Sequence, residues 1–173
     1  MREHGLRFPS MSDRTVLHVG DVAPAFDLES DRGDRVSLAG LVGRWVVLYW
    51  YPKDDTPGCA TEACDIRDSF ALLSGEAEVL GASPDSVTSH QKFRDKFTLP
   101  FQLLADTDHA VAEAYGVWGL KTFMGREYMG VDRTTFIIGP DGRIARIFEK
   151  VKPAGHALEL LEALRALKKQ AED

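Results

Sequence analysis

Hydrophobic and polar positions along this chain change period several times, and the changes mark its elements. "RWVVLYWYP" (Arg44 to Pro52) is apolar at nearly every position, rich in Val and aromatics, and ends at a proline. Such a run predicts a strand covered on both faces, hence a central one. From Thr61 to Leu73 the apolar residues Ala63, Ile66, Phe70 and Leu73 recur at helical spacing. "AEVLGAS" (Ala77 to Ser83) predicts a second short buried strand. "DSVTSHQKFRDKFTL" follows as an amphipathic helix, with Val87, Phe93 and Phe97 facing inward. "FQLLAD" and "DHAVAEAYGV" repeat the strand-then-helix order more briefly. "RTTFIIGPDGRIARIFEKV" reads as a hairpin turned by Gly-Pro-Asp-Gly. "HALELLEALRALKKQ" closes the chain as an amphipathic helix, apolar at Leu158, Leu161, Leu164 and Leu167. Near the start, "VGDVAPAFDLESDRGDRVSL" holds two alternating segments around "SDRGD", which suits an accessory β-hairpin.

The order is β-α-β-α-β-α, then a β-hairpin, then α. Alternation followed by an antiparallel pair predicts an α/β fold with a central mixed sheet flanked by helices. The length of 173 residues suits one domain, expected over residues 16–173 behind a tail of residues 1–15. Met11 is a second candidate start, and Met1 to Ser10 receive no function.

Composition narrows the function classes. The net charge of −6 argues against a nucleic-acid or membrane-surface role. Lys168 and Lys169 form a cluster at a helix end, where they complement the helix dipole. No apolar run is long enough to span a bilayer, and the first residues lack the apolar core of a secretory signal. A cytoplasmic location is the default expectation. In a reducing cytosol, two cysteines point to metal, redox or catalytic use, or to none.

Both cysteines lie in "YPKDDTPGCATEAC", Tyr51 to Cys64. A central strand that runs into a proline-containing loop and then a helix puts the loop at the C-terminal edge of the sheet, where α/β proteins build sites. Cys59 is expected in or just before the first helical turn, beside unpaired backbone N–H groups that stabilise a thiolate. That is a nucleophile's position. Thr56 is a candidate to cap the helix or to turn its hydroxyl to the sulfur. The bland reading of Cys59, a small residue filling a turn, fits poorly with Asp54, Asp55, Thr61 and Glu62 around it. Cys64 has a bland reading of its own, a helical core position beside Ile66 and Phe70. In one continuous helix, positions five apart have Cα atoms about 8.7 Å apart, whereas a disulfide needs about 7 Å or less. If the two pair, at least the first turn must unwind. The spacing does not resemble a zinc pattern, and His90, His109 and His156 are read as surface residues.

"PKDDTPGC", with Pro52, Thr56 and Cys59, resembles the peroxiredoxin signature Pro-x-x-x-Thr-x-x-Cys. A second cysteine five residues on is similar to the bacterioferritin comigratory protein, or PrxQ, subfamily. So, in the same order, are "VLGASPDSVTSHQKF", "LPFQLLADTDHAVAEAYGVWG" and "YMGVDRTTFIIGPDGRI". The resemblance runs from about Val19 to Leu167. It implies a thioredoxin-like fold and a monomeric thiol peroxidase acting on hydrogen peroxide and alkyl hydroperoxides, with no metal, haem or flavin. By that resemblance Cys59 matches the peroxidatic cysteine and Cys64 the resolving cysteine of an intramolecular disulfide, which thioredoxin or a similar dithiol reduces. Thr56 matches the threonine that hydrogen-bonds peroxide and sulfur, Pro52 the proline that shields the pocket, and Arg133 an arginine from a distant strand. Arg126 and Tyr128 are placed in a loop upstream of Arg133, with no role.

Three other readings stay open on the residues alone. A thiol-disulfide oxidoreductase normally uses Cys-x-x-Cys, which this chain lacks. A redox sensor that passes oxidation to a partner would use the same two cysteines. A binding or scaffold protein with inert thiols is the third.

Overall fold

The computed structural model describes residues 14–172. The unbroken apolar run becomes β3 (Val46–Trp50), all five residues buried. It pairs in parallel with β4 (Glu78–Ser83), which pairs in parallel with β5 (Gln102–Ala105). On its other side β3 pairs antiparallel with β8 (Thr134–Ile138), and β8 with β9 (Ile144–Phe148). The early hairpin is β1 (Asp27–Ser30) and β2 (Arg35–Ser37). It is no separate accessory: β1 pairs antiparallel with β5, giving one seven-stranded mixed sheet in the order β2-β1-β5-β4-β3-β8-β9.

Alternate residues of β3 serve two cores. Val47 and Tyr49, followed by Tyr51, face a cluster with Cys59, Ala63, Ile66, Phe93, Leu160 and Leu164. These come from α1 (Pro57–Asp68), α3 (Val87–Phe97) and α5 (His156–Glu172). Val46, Leu48 and Trp50 face the other side, with Ala112 of α4 (Ala110–Ala114) and Tyr115, Phe136 and Phe26. Layers on both faces explain why the strand shows no polar alternation.

Several expectations need correction. The helix carrying Ala63, Ile66, Phe70 and Leu73 begins at Pro57, with Cys59 in its first turn as expected, but it is interrupted at Ser69, and Phe70–Leu73 form the short α2. In α5, Leu158 is 61% exposed, and the buried face is Ala157, Leu160, Leu161 and Leu164. Leucines at every third position turn about 300° per step, so Leu158 to Leu167 drift about half-way round a helix of 3.6 residues per turn. Arg126 and Tyr128 lie in a strand, not a loop: β6 (Trp118–Phe123) and β7 (Arg126–Val131) form a separate two-stranded ribbon. Its turn, Met124–Gly125, has positive φ at both residues, 50° and 77°. That backbone normally announces itself as Asn-Gly or Asp-Gly, which "FMGR" does not.

The expected tail, residues 1–15, lies outside the described residues except for Arg14 and Thr15. Those two are docked: Arg14 Nη1 donates to Asp132 Oδ2 at 2.7 Å, and its guanidinium lies so close over Gly119 that a Cβ there would overlap it.

Candidate active site

The loop after β3 and the residue before β8 meet because the two strands are antiparallel. Trp50 is the register partner of Thr134, so Arg133 stands beside the exit of β3 although 74 residues separate it from Cys59. The sequence pattern alone does not reveal that meeting; the strand register does.

Cys59 is the third residue of α1, buried at 2% exposure, with Pro57 opening the helix. Arg133 Nη2 donates to its Sγ at 3.3 Å. The other arm, Nη1, donates to Glu62 Oε1 at 2.7 Å. Gly58 makes the approach possible, since a Cβ there would sit 3.1 Å from Nη2. Burial works against the guanidinium charge, but Glu62 and the cysteine sulfur keep it firmly protonated. The guanidinium thus sets a fixed, delocalised positive charge against the sulfur.

Glu62 is the functional candidate that sequence reasoning missed. It is fully buried, one helical turn after Cys59, on a face otherwise made of Cys59, Ala63 and Ile66. An acid on a buried helix face was the available signal. Burial pushes its carboxyl up to about 7, and Arg133 opposes that rise. Its Oε2 has no hydrogen-bond partner among the described residues.

Thr56 is the N-cap residue in extended conformation, but its side chain neither caps the helix nor bonds the sulfur. Its Oγ1 donates to Lys53 O at 2.9 Å, while its carbonyl accepts from Ala60 N at 2.8 Å. Pro52 is half-buried beside it in the loop. Cys64 is half-buried later in the same unbroken helix and its thiol is free, as is that of Cys59. It lines a shallow recess with Ala60, Thr61, Asp68, Phe97 and Ala154. Of the expected site residues the structure brings Cys59 and Arg133 into contact; Pro52 and Thr56 lie in the loop that leads into α1, and Cys64 stands apart along that helix.

Of the three histidines read as surface residues, His90 and His156 are buried, whereas the His109 side chain stays 40% exposed. His90 is fully buried, with Nδ1 on Asp54 Oδ2 at 2.7 Å and Nε2 on Leu104 O at 2.9 Å. His156 is fully buried against Thr135 Oγ1 at 2.8 Å, and burial lowers its proton affinity. His109 stacks on Trp118 with ring centres 4.1 Å apart. Polar partners placed inside the fold reverse the expectation, and helical position alone could not reveal them. Asp54, Asp85 and His90 have the atom types of a cation site. Their atoms already engage one another and Tyr51, Ser83 and Ser89, so they form a hydrogen-bond network.

A parallel β-α-β sheet with a buried cysteine in the first turn of the helix, held by an arginine, defines a thiol-reactive protein of the thioredoxin-like class. The AhpC/TSA family model matches residues 19–147. Peroxiredoxin Bcp of Bacillus subtilis is 48% identical over 152 residues, covering 86% of this chain and 96% of that protein. Peroxiredoxin Bcp of Escherichia coli is 43% identical over 141 residues, 81% and 90% of the two chains. The bacterioferritin comigratory protein of Xanthomonas campestris, whose structure was determined to address its alkyl peroxide reduction, superposes with a TM-score of 0.79. It is 37% identical, over 87% of this chain and 97% of that one. PrxQ of Xylella fastidiosa superposes at 0.82 with 35% identity, over 88% and 98%. The chain belongs to the AhpC/TSA family and, within it, to the Bcp/PrxQ peroxiredoxins: it is a thiol peroxidase.

Proposed function

We propose that Cys59 is the peroxidatic residue of a two-cysteine cycle. Its thiolate attacks one oxygen of hydrogen peroxide or an alkyl hydroperoxide. An S–O bond forms, the O–O bond breaks, and the second oxygen leaves as hydroxide or alkoxide and takes up a proton. The sulfur, oxidised by two electrons, is then a sulfenic acid. The observation that carries this reading is the Arg133 fork, which binds Sγ and Glu62 together at the helix start. The same guanidinium is placed to stabilise charge on the departing oxygen. Thr56, whose hydroxyl hydrogen is given to Lys53 O, keeps an oxygen able to accept from the peroxide. Pro52 shields the pocket mouth.

In the second half-reaction Cys64 as thiolate attacks the Cys59 sulfur, the S–O bond breaks, and the oxygen leaves as water after protonation. The unbroken helix forbids that contact, so α1 opens first. A thioredoxin-like dithiol would return both thiols. No described helix is long and apolar enough to cross a membrane, and we place the protein in the cytoplasm as a single-domain monomer.

The test is a pair of serine variants. We expect C59S to lose peroxide reduction altogether. We expect C64S to consume one equivalent of peroxide and stop at a sulfenic acid that overoxidises readily. Substantial turnover by C59S would refute the nucleophile.

A further inference from the structure

A carboxylate stands at each end of the segment that carries the cysteines. Upstream, Asp54 is nearly buried in the loop before α1. It accepts from Tyr51 Oη at 2.6 Å and Ser89 Oγ at 2.8 Å, and it pairs with His90 Nδ1 at 2.7 Å. Its backbone N–H donates to Asp85 Oδ2 at 2.8 Å. The loop is thereby fixed to the start of α3 and the end of β4. Downstream, Asp65 Oδ2 accepts from Ala157 N at 2.8 Å, fixing α1 to the first turn of α5. Ala157 is itself buried in the core.

The stretch between is held otherwise. Thr61 Oγ1 returns to Pro57 O within the helix. Among the described residues, the side-chain hydrogen bonds that tie residues 57–64 to the rest of the molecule are the two from Arg133, to Cys59 and Glu62. Oxidation of Cys59 changes the acceptor of one of them.

We propose that Asp54 with His90, and Asp65, are positioning residues for the disulfide step. They hold both ends of the segment, so unwinding is confined to residues 57–63. Cys64, adjacent to Asp65, stays as the fixed target while Cys59 travels to it. The inference rests on the two-cysteine cycle proposed above. A helix opened between fixed ends keeps the two sulfurs on a short tether and recloses without searching for its register.

Hydrogen exchange read by mass spectrometry tests this on reduced full-length protein, before and after one equivalent of hydrogen peroxide. In the wild type, oxidation should deprotect the amides of residues 60–67, whose helical acceptors lie at 56–63, and leave those of 68–69 and of the first turn of α3 protected. In D65A, the amides of residues 68–69 should stay protected while reduced, but exchange on the order of tenfold faster or more once oxidised. S89A, which removes one donor to Asp54 with little risk to folding, should let oxidation-linked exchange spread to residues 53–56. Deprotection of 68–69 in the oxidised wild type, or an unmoved boundary in both variants, would overturn the inference. Intact mass on the same samples separates the two levels. Loss of two hydrogens with the boundary elsewhere sinks the anchors alone, whereas oxygen gained on Cys59 with Cys64 still free sinks the two-cysteine cycle and the anchors together.

Discussion

Arg133 serves two acceptors at once, and only a planar fork can do so. A lysine would offer one ammonium where Sγ and Glu62 Oε1 lie on separate arms. It would leave either the sulfur without its cation or a buried carboxylate without its partner. We expect R133K to lower the second-order rate with hydrogen peroxide by about 10², measured by stopped-flow under single-turnover conditions. A change below about threefold would show that the fork is not what activates the sulfur. At this scale the sequence was unevenly legible. Cys59 declared itself, because Thr-Pro-Gly before a helix leaves a thiol among free N–H groups. Arg133 did not, since its meeting with Cys59 depends on the Trp50–Thr134 register, and only the family resemblance singled it out. Glu62 leaves a signal in its helical spacing, which sets it on the face of Cys59, Ala63 and Ile66, but its partner Arg133 leaves none.

For α1 the question is what makes it open. Glu62 lies in the segment that unwinds, and opening would return its carboxyl from about 7 to the ordinary value near 4.5. The closed helix binds that proton more tightly than the open one. The resulting preference for the closed form is complete below about 4.5 and is lost as pH rises through about 7. At about 1.4 kcal/mol per pH unit, the 2.5 units between 4.5 and about 7 amount to about 3.5 kcal/mol at most. We therefore expect opening of α1 in the reduced protein, followed by hydrogen exchange corrected for intrinsic rates, to become easier by up to about 10² between pH 4.5 and 7.5. E62Q should flatten that dependence; a pH-independent wild type would show that Glu62 does not leave its burial. Elements with strong periodicity were readable from sequence. β3, β4, α3 and α5 all appear where the pattern put them, although α5 presents a face rotated from its leucines. The β6–β7 ribbon was not readable, because its turn uses Met124 where asparagine or aspartate would signal positive φ.

Over the whole molecule, the site depends on a sheet that is packed on both faces. Tyr49 and Tyr51 carry one core up to Cys59, while Leu48, Trp50 and Leu80 carry the other. The parallel β3-β4-β5 unit sets the loop and the N-terminus of α1 at one edge, and antiparallel β8 returns Arg133 to the same edge. Damage to the distant core should therefore act on stability rather than on chemistry. Leu80 is fully buried on the face away from α1. We expect Leu80→Ala to cost about 2–5 kcal/mol in urea unfolding, with the peroxide rate of the folded fraction little changed. A loss of rate without loss of stability would mean that this face shapes the site directly. The α/β alternation was legible because it follows from periodicity alone. That the early hairpin joins the main sheet through β1 and β5 was not, since strand pairing across some 70 residues leaves no mark in local pattern.

The most direct test of the central claim is intact mass with a free-thiol count, before and after one equivalent of hydrogen peroxide on the reduced protein. Rapid loss of both thiols and of two hydrogens is the expected result, with Cys59 as nucleophile and Cys64 as its partner across an opened helix. Oxygen added to Cys59 with Cys64 still free would contradict it, and would make this a one-cysteine peroxidase in which Cys64 is only packed along α1.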